Sequence, residues 1–142
     1  MKIIRKLVYY CDHCGKRYLS RAAINKHERG CTANPKRVCG VCGNTGPVQT
    51  EPFAQYLEPA PVSEDWQADV PGATRQVVEG RYDPFIAEVH DAVNGCPACM
   101  LAIIRQLRIT RIAWDYKAAR DAYWAEINAE HLRQEEACGY HF

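Results

Sequence analysis

The sequence predicts a small α+β chain made of separately stapled parts, and three observations predict it. Cysteine and histidine recur at ligand spacing: Cys11-x-x-Cys14, then twelve residues, then His27-x-x-x-Cys31; afterwards Cys39-x-x-Cys42 and, far downstream, Cys96-x-x-Cys99. The segments around these residues are too short to bury a sizeable core of their own. Trp114 to Glu136 has neither glycine nor proline and carries helix-forming composition throughout. Seven of the eight cysteines are absorbed by the two patterns, which leaves Cys138 outside.

The spacing has a chemical reason. Zinc takes four sulfur or nitrogen ligands tetrahedrally, and a two-residue gap lets both thiolates of one turn reach the same ion. An N-terminal stretch of about 40 residues needs such a staple to fold. Two structural zinc ions are therefore expected, one on Cys11, Cys14, His27 and Cys31, the other on Cys39, Cys42, Cys96 and Cys99. Met1 to Tyr10 alternates basic and apolar residues without a small-residue cleavage site, so it does not read as an export signal. Cysteine-rich composition without such a signal fits a reducing compartment and a cytoplasmic location. The longest apolar run, Met100 to Ile104, is too short to span a bilayer.

A formal net charge of +1 hides a gradient. Met1 to Cys42 holds ten Lys/Arg against Asp12 and Glu28, a net +8. Gly43 to Gly95 holds Arg75 and Arg81 against nine acids, a net −7, and Cys96 to Phe142 balances six against six. A basic head beside an acidic middle suggests a polyanion for one and a basic surface for the other. Mutual pairing of the two segments is the competing explanation.

Taken in order, the first element is a hairpin bearing Cys11 and Cys14, followed by a helix that places His27 and Cys31 on one face, with Ser20 as its N-cap. Gly30 is expected to loosen the last turn. Tyr9, Tyr18 and Ile24 supply a miniature core. This pattern resembles the ββα zinc finger, in a Cys-Cys-His-Cys variant, over about a fifth of the chain. In that family the residue before the helix and its third and sixth residues read bases, here Ser20, Ala23 and Lys26. Neither serine nor alanine makes a strongly discriminating bidentate contact, so sequence-specific DNA control is not expected. Contact with phosphates or a partner through Arg5, Lys6, Arg17, Arg21, Lys26, Arg29, Lys36 and Arg37 is.

The next element is a knuckle, Cys39-Gly-Val-Cys42-Gly, in which Gly40 and Gly43 are expected to supply positive φ. Pro97 suits the first turn of an apolar helix running on from Cys96 and Cys99 through Ile109. A knuckle plus two ligands from a helix start resembles a treble clef, and four cysteines close the site as a structural one. Between the pairs, Glu51 to Gly80 reads as an extended acidic loop, partly anchored by Tyr56, Leu57 and Trp66. Asp83 to Gly95 reads as a short helix capped by Asp83, with Pro84 in its first turn, Phe85, Val89 and Val93 on one face and Gly95 as its stop. The chain thus divides into a finger, 1–36, and a four-cysteine unit, 37–142, with an acidic insertion over about 44–82.

Treble clefs also carry the HNH nuclease site, so His90, Asp91 and Asn94 enter consideration. Such a nuclease needs a general-base His and further His, Asp or Asn ligands for a divalent ion. In that family a further His or Asn usually sits on the helix after the last cysteines, and Met100 to Ile109 offers neither. His90 reads as a solvated or packed helix residue, and no catalytic residue is assigned. On the last helix Tyr116, Tyr123, Ile127 and Glu130 share a face, expected to pack on Ile103 and Leu107, while Trp114 and Trp124 flank it. Cys138 and His141 have ligand spacing but no second pair, so they read as a free tail.

The whole arrangement resembles small zinc-finger proteins of bacteriophages, which implies a bacterial host cytoplasm and a host- or nucleoprotein-directed role. The expected function is non-enzymatic: the basic finger meets nucleic acid phosphates or a nucleoprotein complex, and the C-terminal part supplies a protein interface. A host protein and a second copy of the chain are further candidate partners; a membrane is not. Two alternatives stand beside this. One is a phage inhibitor of a host defence machine, such as an anti-CRISPR protein, acting through the acidic segment Glu51 to Asp91. The other is the HNH-like metal-dependent nuclease.

Overall fold

The computed structural model describes residues 7–46, 49–59 and 74–137, and in them the chain is a small α+β fold. Two short antiparallel strands, β1 (Tyr9–Tyr10) and β2 (Arg17–Tyr18), precede helix α1 (Arg21–Gly30). The register sets Tyr9 opposite Tyr18 and Tyr10 opposite Arg17. Because side chains alternate along a strand, one pair faces the helix and the other faces away. Tyr9 and Tyr18 pack with buried Ile24, as expected. Ser20 caps α1, its hydroxyl accepting from the Ala23 amide at 3.1 Å. The helix stops at Gly30, and Cys31 is already extended (φ −61°, ψ 125°).

The main core lies downstream. Helix α2 (Tyr82–Ala92) packs against both helix α3 (Pro97–Gln106) and a 3₁₀ helix, Glu51–Tyr56. Phe85, Val89, Met100, Ile103, Ile104 and Leu107 pack there with Phe53, Tyr56 and Leu57. Phe53 and Tyr56 each meet Phe85 edge-on, at centroid distances of 6.2 and 5.9 Å. Such aromatic pairs add to simple area burial.

The expected loop from Glu51 to Gly80 is therefore built into the fold at both ends. Strand β3 (Arg75–Gln76) pairs in parallel with β4 (Ile109–Arg111), and Leu57 bridges Val77. Glu58 N donates to Gln76 O at 3.0 Å and Val78 N to Tyr56 O at 2.9 Å. Tyr56 and Leu57 anchor the segment as expected, and Phe53 joins them. Trp66 and the acids Glu64, Asp65 and Asp69 lie outside the described residues.

Other expectations are corrected. Helix α2 begins at Tyr82 with Arg81 as N-cap, so Asp83 is inside the first turn and caps nothing. The apolar run after Cys99 ends as helix at Gln106, where Arg108 takes a positive φ of 59° and the chain turns into β4. The last helix, α4 (Tyr116–Ala137), contacts α3 yet buries no residue fully. Tyr116, Ala119, Arg120 and Tyr123 are half-buried, whereas Trp124, Ile127 and Glu130 are exposed. Only the first two turns of α4 face the core side; Trp114, just before it, packs against the core instead.

Candidate metal centres

The first cluster is assembled from the hairpin turn and the end of α1. Cys11, Cys14, His27 and Cys31 bring their ligand atoms within 4.8 Å of one another. Cys11 Sγ lies 3.8 Å from Cys31 Sγ, and Cys14 Sγ lies 3.2 Å from His27 Nε2. The Tyr18 ring holds the imidazole, at a centroid distance of 4.9 Å.

The second cluster joins the knuckle to the start of α3. Cys39, Cys42, Cys96 and Cys99 also lie within 4.8 Å of one another. Sulfur–sulfur separations are 3.7 Å for Cys39–Cys96 and 3.6 Å for Cys42–Cys99. A tetrahedron with zinc–sulfur bonds of about 2.3 Å has sulfur–sulfur edges of about 3.8 Å. Both donor sets meet that test, so the two four-ligand groups fit two zinc ions. Each set supplies four protein ligands, the number a closed structural site uses.

The two turns are built alike. Gly15 N donates to Cys11 O at 2.9 Å, and Gly43 N to Cys39 O at 3.0 Å. Both glycines are left-handed, at φ +69° and +70°, so each Cys-x-x-Cys turn closes with a residue that tolerates no side chain without strain. Gly40 was expected to share this role and does not, since its φ is not positive. The matching Gly15 was legible as Cys-x-x-Cys-Gly but not singled out.

Electrostatics separate the thiols within each set. Cys39 feels burial that raises its pKa, but amides of Cys42 and Val41 outweigh it and bring the thiol to about 6. Burial likewise opposes ionisation of Cys14, while Lys16 N–H and His27 lower it to about 7. Burial drives Cys31 and Cys96 up to about 11, and Cys99 higher still. Crowded thiols oppose one another's ionisation, and a divalent cation among them reverses that logic.

Arg37 is the main departure from expectation. Read from sequence as a phosphate or partner contact, it is 3 % exposed and faces the second cluster. Its Nη1 donates to Cys99 Sγ at 3.5 Å, and its Nε has no hydrogen-bond partner among the described residues. Burial works against its charge, yet the Cys99 hydrogen bond and the fields of Cys39 and Cys99 leave its pKa raised. Four thiolates around a zinc ion would carry a net −2, and the buried Arg37 guanidinium beside Cys99 would serve as their counter-ion. Nothing in the sequence beyond its place two residues before Cys39 signalled this.

The remaining contact residues are placed differently. Arg17, Arg21, Lys26, Arg29 and Lys36 are exposed; Arg5 and Lys6 lie outside the described residues, as do Cys138 and His141. Among the described residues every ion pair is local, the His90–Asp91 pair on α2 and four on α4, so none joins the basic head to an acid downstream. His90 is exposed on α2, and among the described residues its imidazole meets one hydrogen-bond partner, Asp91 Oδ1 at 3.4 Å, while Asn94 adopts φ 49° in the turn after the helix. The two clusters are tied by the intervening segment. Arg105 donates to Thr32 Oγ1 at 2.8 Å, Gln106 to Thr32 O at 3.0 Å, and Val38 N to Arg29 O at 2.7 Å.

No described helix is long and apolar enough to cross a membrane. No family model, curated protein or solved structure matches the chain. Fold and sites together describe a small α+β chain with two four-ligand Cys/His groups that fit two zinc ions.

Proposed function

We propose that this is a non-enzymatic, zinc-organised nucleic-acid-binding protein whose hairpin–helix unit is a ββα-type finger directed at the phosphate backbone. One observation carries the reading: Arg17, Arg21, Lys26 and Arg29 are exposed on that unit and make no ion pair among the described residues. Unpaired cations on one small unit are what a polyanion displaces counterions to meet. Sequence-specific reading by the helix has little support, because Ser20 caps the helix and its hydroxyl makes no bidentate base contact, and the Ala23 side chain offers no hydrogen-bonding group. Four protein ligands at each cluster leave no open coordination position, which supports a structural role for the metal. The resemblance to small bacteriophage zinc-finger proteins extends the proposal to a phage product in a bacterial cytoplasm.

The test is fluorescence anisotropy of the zinc-loaded chain with labelled nucleic acid across a salt series. Affinity should fall steeply with salt, and Arg17→Glu, Arg21→Glu and Arg29→Glu together should lower it by tenfold or more. Salt-independent binding, or binding unchanged by the triple reversal, overturns the reading.

A second reading, an inhibitor of a host defence machine acting by protein contact, draws on the acidic excursion. Its base is pinned by the Leu57–Val77 bridge and by the Arg81 guanidinium donating to the Gln55 carbonyl. Neutralising Glu64, Asp65 and Asp69 abolishes partner capture under this reading and leaves it intact under the first.

A further inference from the structure

We infer that the outer face of the β1–β2 hairpin, centred on Tyr10 and Arg17, binds single-stranded nucleic acid by stacking bases on Tyr10 while Arg17 holds phosphate. The inference rests on the nucleic-acid reading above and names the form of the ligand.

The argument starts from register. Tyr9 and Tyr18 are opposite each other and pack inward on Ile24, so the adjacent pair, Tyr10 and Arg17, faces away from the helix. Tyr10 is 61 % exposed. Of the eight large apolar side chains exposed among the described residues, four belong to this hairpin: Leu7, Val8, Tyr10 and Leu19. Scattered exposed apolar residues need no explanation, but by the same alternation Val8 and Leu19, which adjoin the strands, fall on the Tyr10 face and Leu7 on the Tyr9 side, so three of them gather on one face. Leu19 is 65 % exposed and follows directly on β2.

Charge selects the occupant. Exposed Arg17 lies directly across from Tyr10, and exposed Lys16 and Arg21 flank the strand. Lys16 Nζ lies over the Tyr18 ring, 5.9 Å from its centroid, which leaves Arg17 and Arg21 beside the patch. An apolar protein partner gains nothing from these two cations, whereas a phosphate backbone does. The combination of an aromatic face with cations along it is how single strands are held without sequence reading. In a duplex the base faces are stacked on one another and closed to Tyr10. Arg17 adds a planar guanidinium, able to stack and to hold phosphate bidentately.

The experiment uses the full zinc-loaded chain with three probes of equal length: an oligodeoxythymidine, an oligouridine and a DNA duplex. The wild type should bind the single strands more tightly than the duplex. Tyr10→Ala should weaken single-strand binding about tenfold and leave the duplex nearly unchanged, while Tyr10→Phe keeps affinity. The two single strands distinguish DNA from RNA as the source. The cobalt-substituted absorption spectrum of each variant shows that the first cluster is intact, so loss of binding is not loss of fold. Equal binding of duplex and single strand, with Tyr10→Ala silent and the triple arginine reversal still damaging, overturns the stacking face and leaves the phosphate-directed reading standing. No binding to any probe overturns both.

Discussion

The guanidinium of Arg37 lies 3.5 Å from the sulfur of Cys99, buried between the segment that leaves the first cluster and the helix that completes the second. This one contact links charge neutralisation to architecture. Two residues after Arg37 the chain enters the knuckle at Cys39, and from Val38 it hydrogen-bonds back to Arg29 on α1. Outer-shell donors orient metal ligands, and removing one typically costs about 10- to 100-fold in metal affinity.

Replacing Arg37 by methionine keeps the apolar stem and removes the charge. Zinc retention at the second cluster should fall about tenfold or more in chelator competition, with the first cluster unaffected. Arg37→Lys should recover only part, because an ammonium is a single point charge on a flexible stem. Equal loss from both clusters, or none, would show that the contact is packing alone.

Metal uptake should release protons. At pH 7 Cys31 and Cys96, held near 11, still carry theirs, while Cys39, near 6, has shed its own. Zinc requires thiolates, so their ligand-state pKa values are depressed below these values. Affinity is therefore greatest at alkaline pH and weakens as pH falls, more steeply below about 7 at the first cluster, where Cys14 is protonated too, and below about 6 at the second, where Cys39 is. Titration calorimetry in buffers of differing ionisation enthalpy measures the net release; a value of zero at pH 7 contradicts this account.

Phe85 is fully buried where the 3₁₀ helix, α2 and α3 meet. Phe85→Ala should destabilise the fold by about 3–5 kcal/mol, read from denaturant unfolding of the zinc-loaded protein. A change below about 1 kcal/mol would mean that zinc alone holds this unit, and that the core is secondary.

Ligand spacing made the clusters legible because each pair is local: a two-residue gap or one helical turn. Ser20 as cap and Tyr9, Tyr18 and Ile24 as core were legible for the same reason. Long-range pairing was not. The parallel β3–β4 contact joins Arg75 to Ile109 through two residues a side, too short to carry an alternating pattern. Phe53 was hidden among prolines and acids, and its burial depends on Phe85, which meets it only in the fold. Helix α4 was read correctly as a helix, but its packing face was drawn too long: Tyr116 and Tyr123 are half-buried as expected, while Ile127 and Glu130 are exposed, since only its first turns meet α3. Arg37 shows the limit most clearly. In sequence it belongs to a basic run with Lys36, and only the return of Cys99 on α3 turns it inward.

Native mass spectrometry of the chain purified under reducing conditions tests the central claim most directly. Two zinc ions per chain are expected, with Cys14→Ser removing one and Cys42→Ser removing the other. A chain that carries no zinc, or whose mass shows Cys39 and Cys96 joined as a disulfide, contradicts the account.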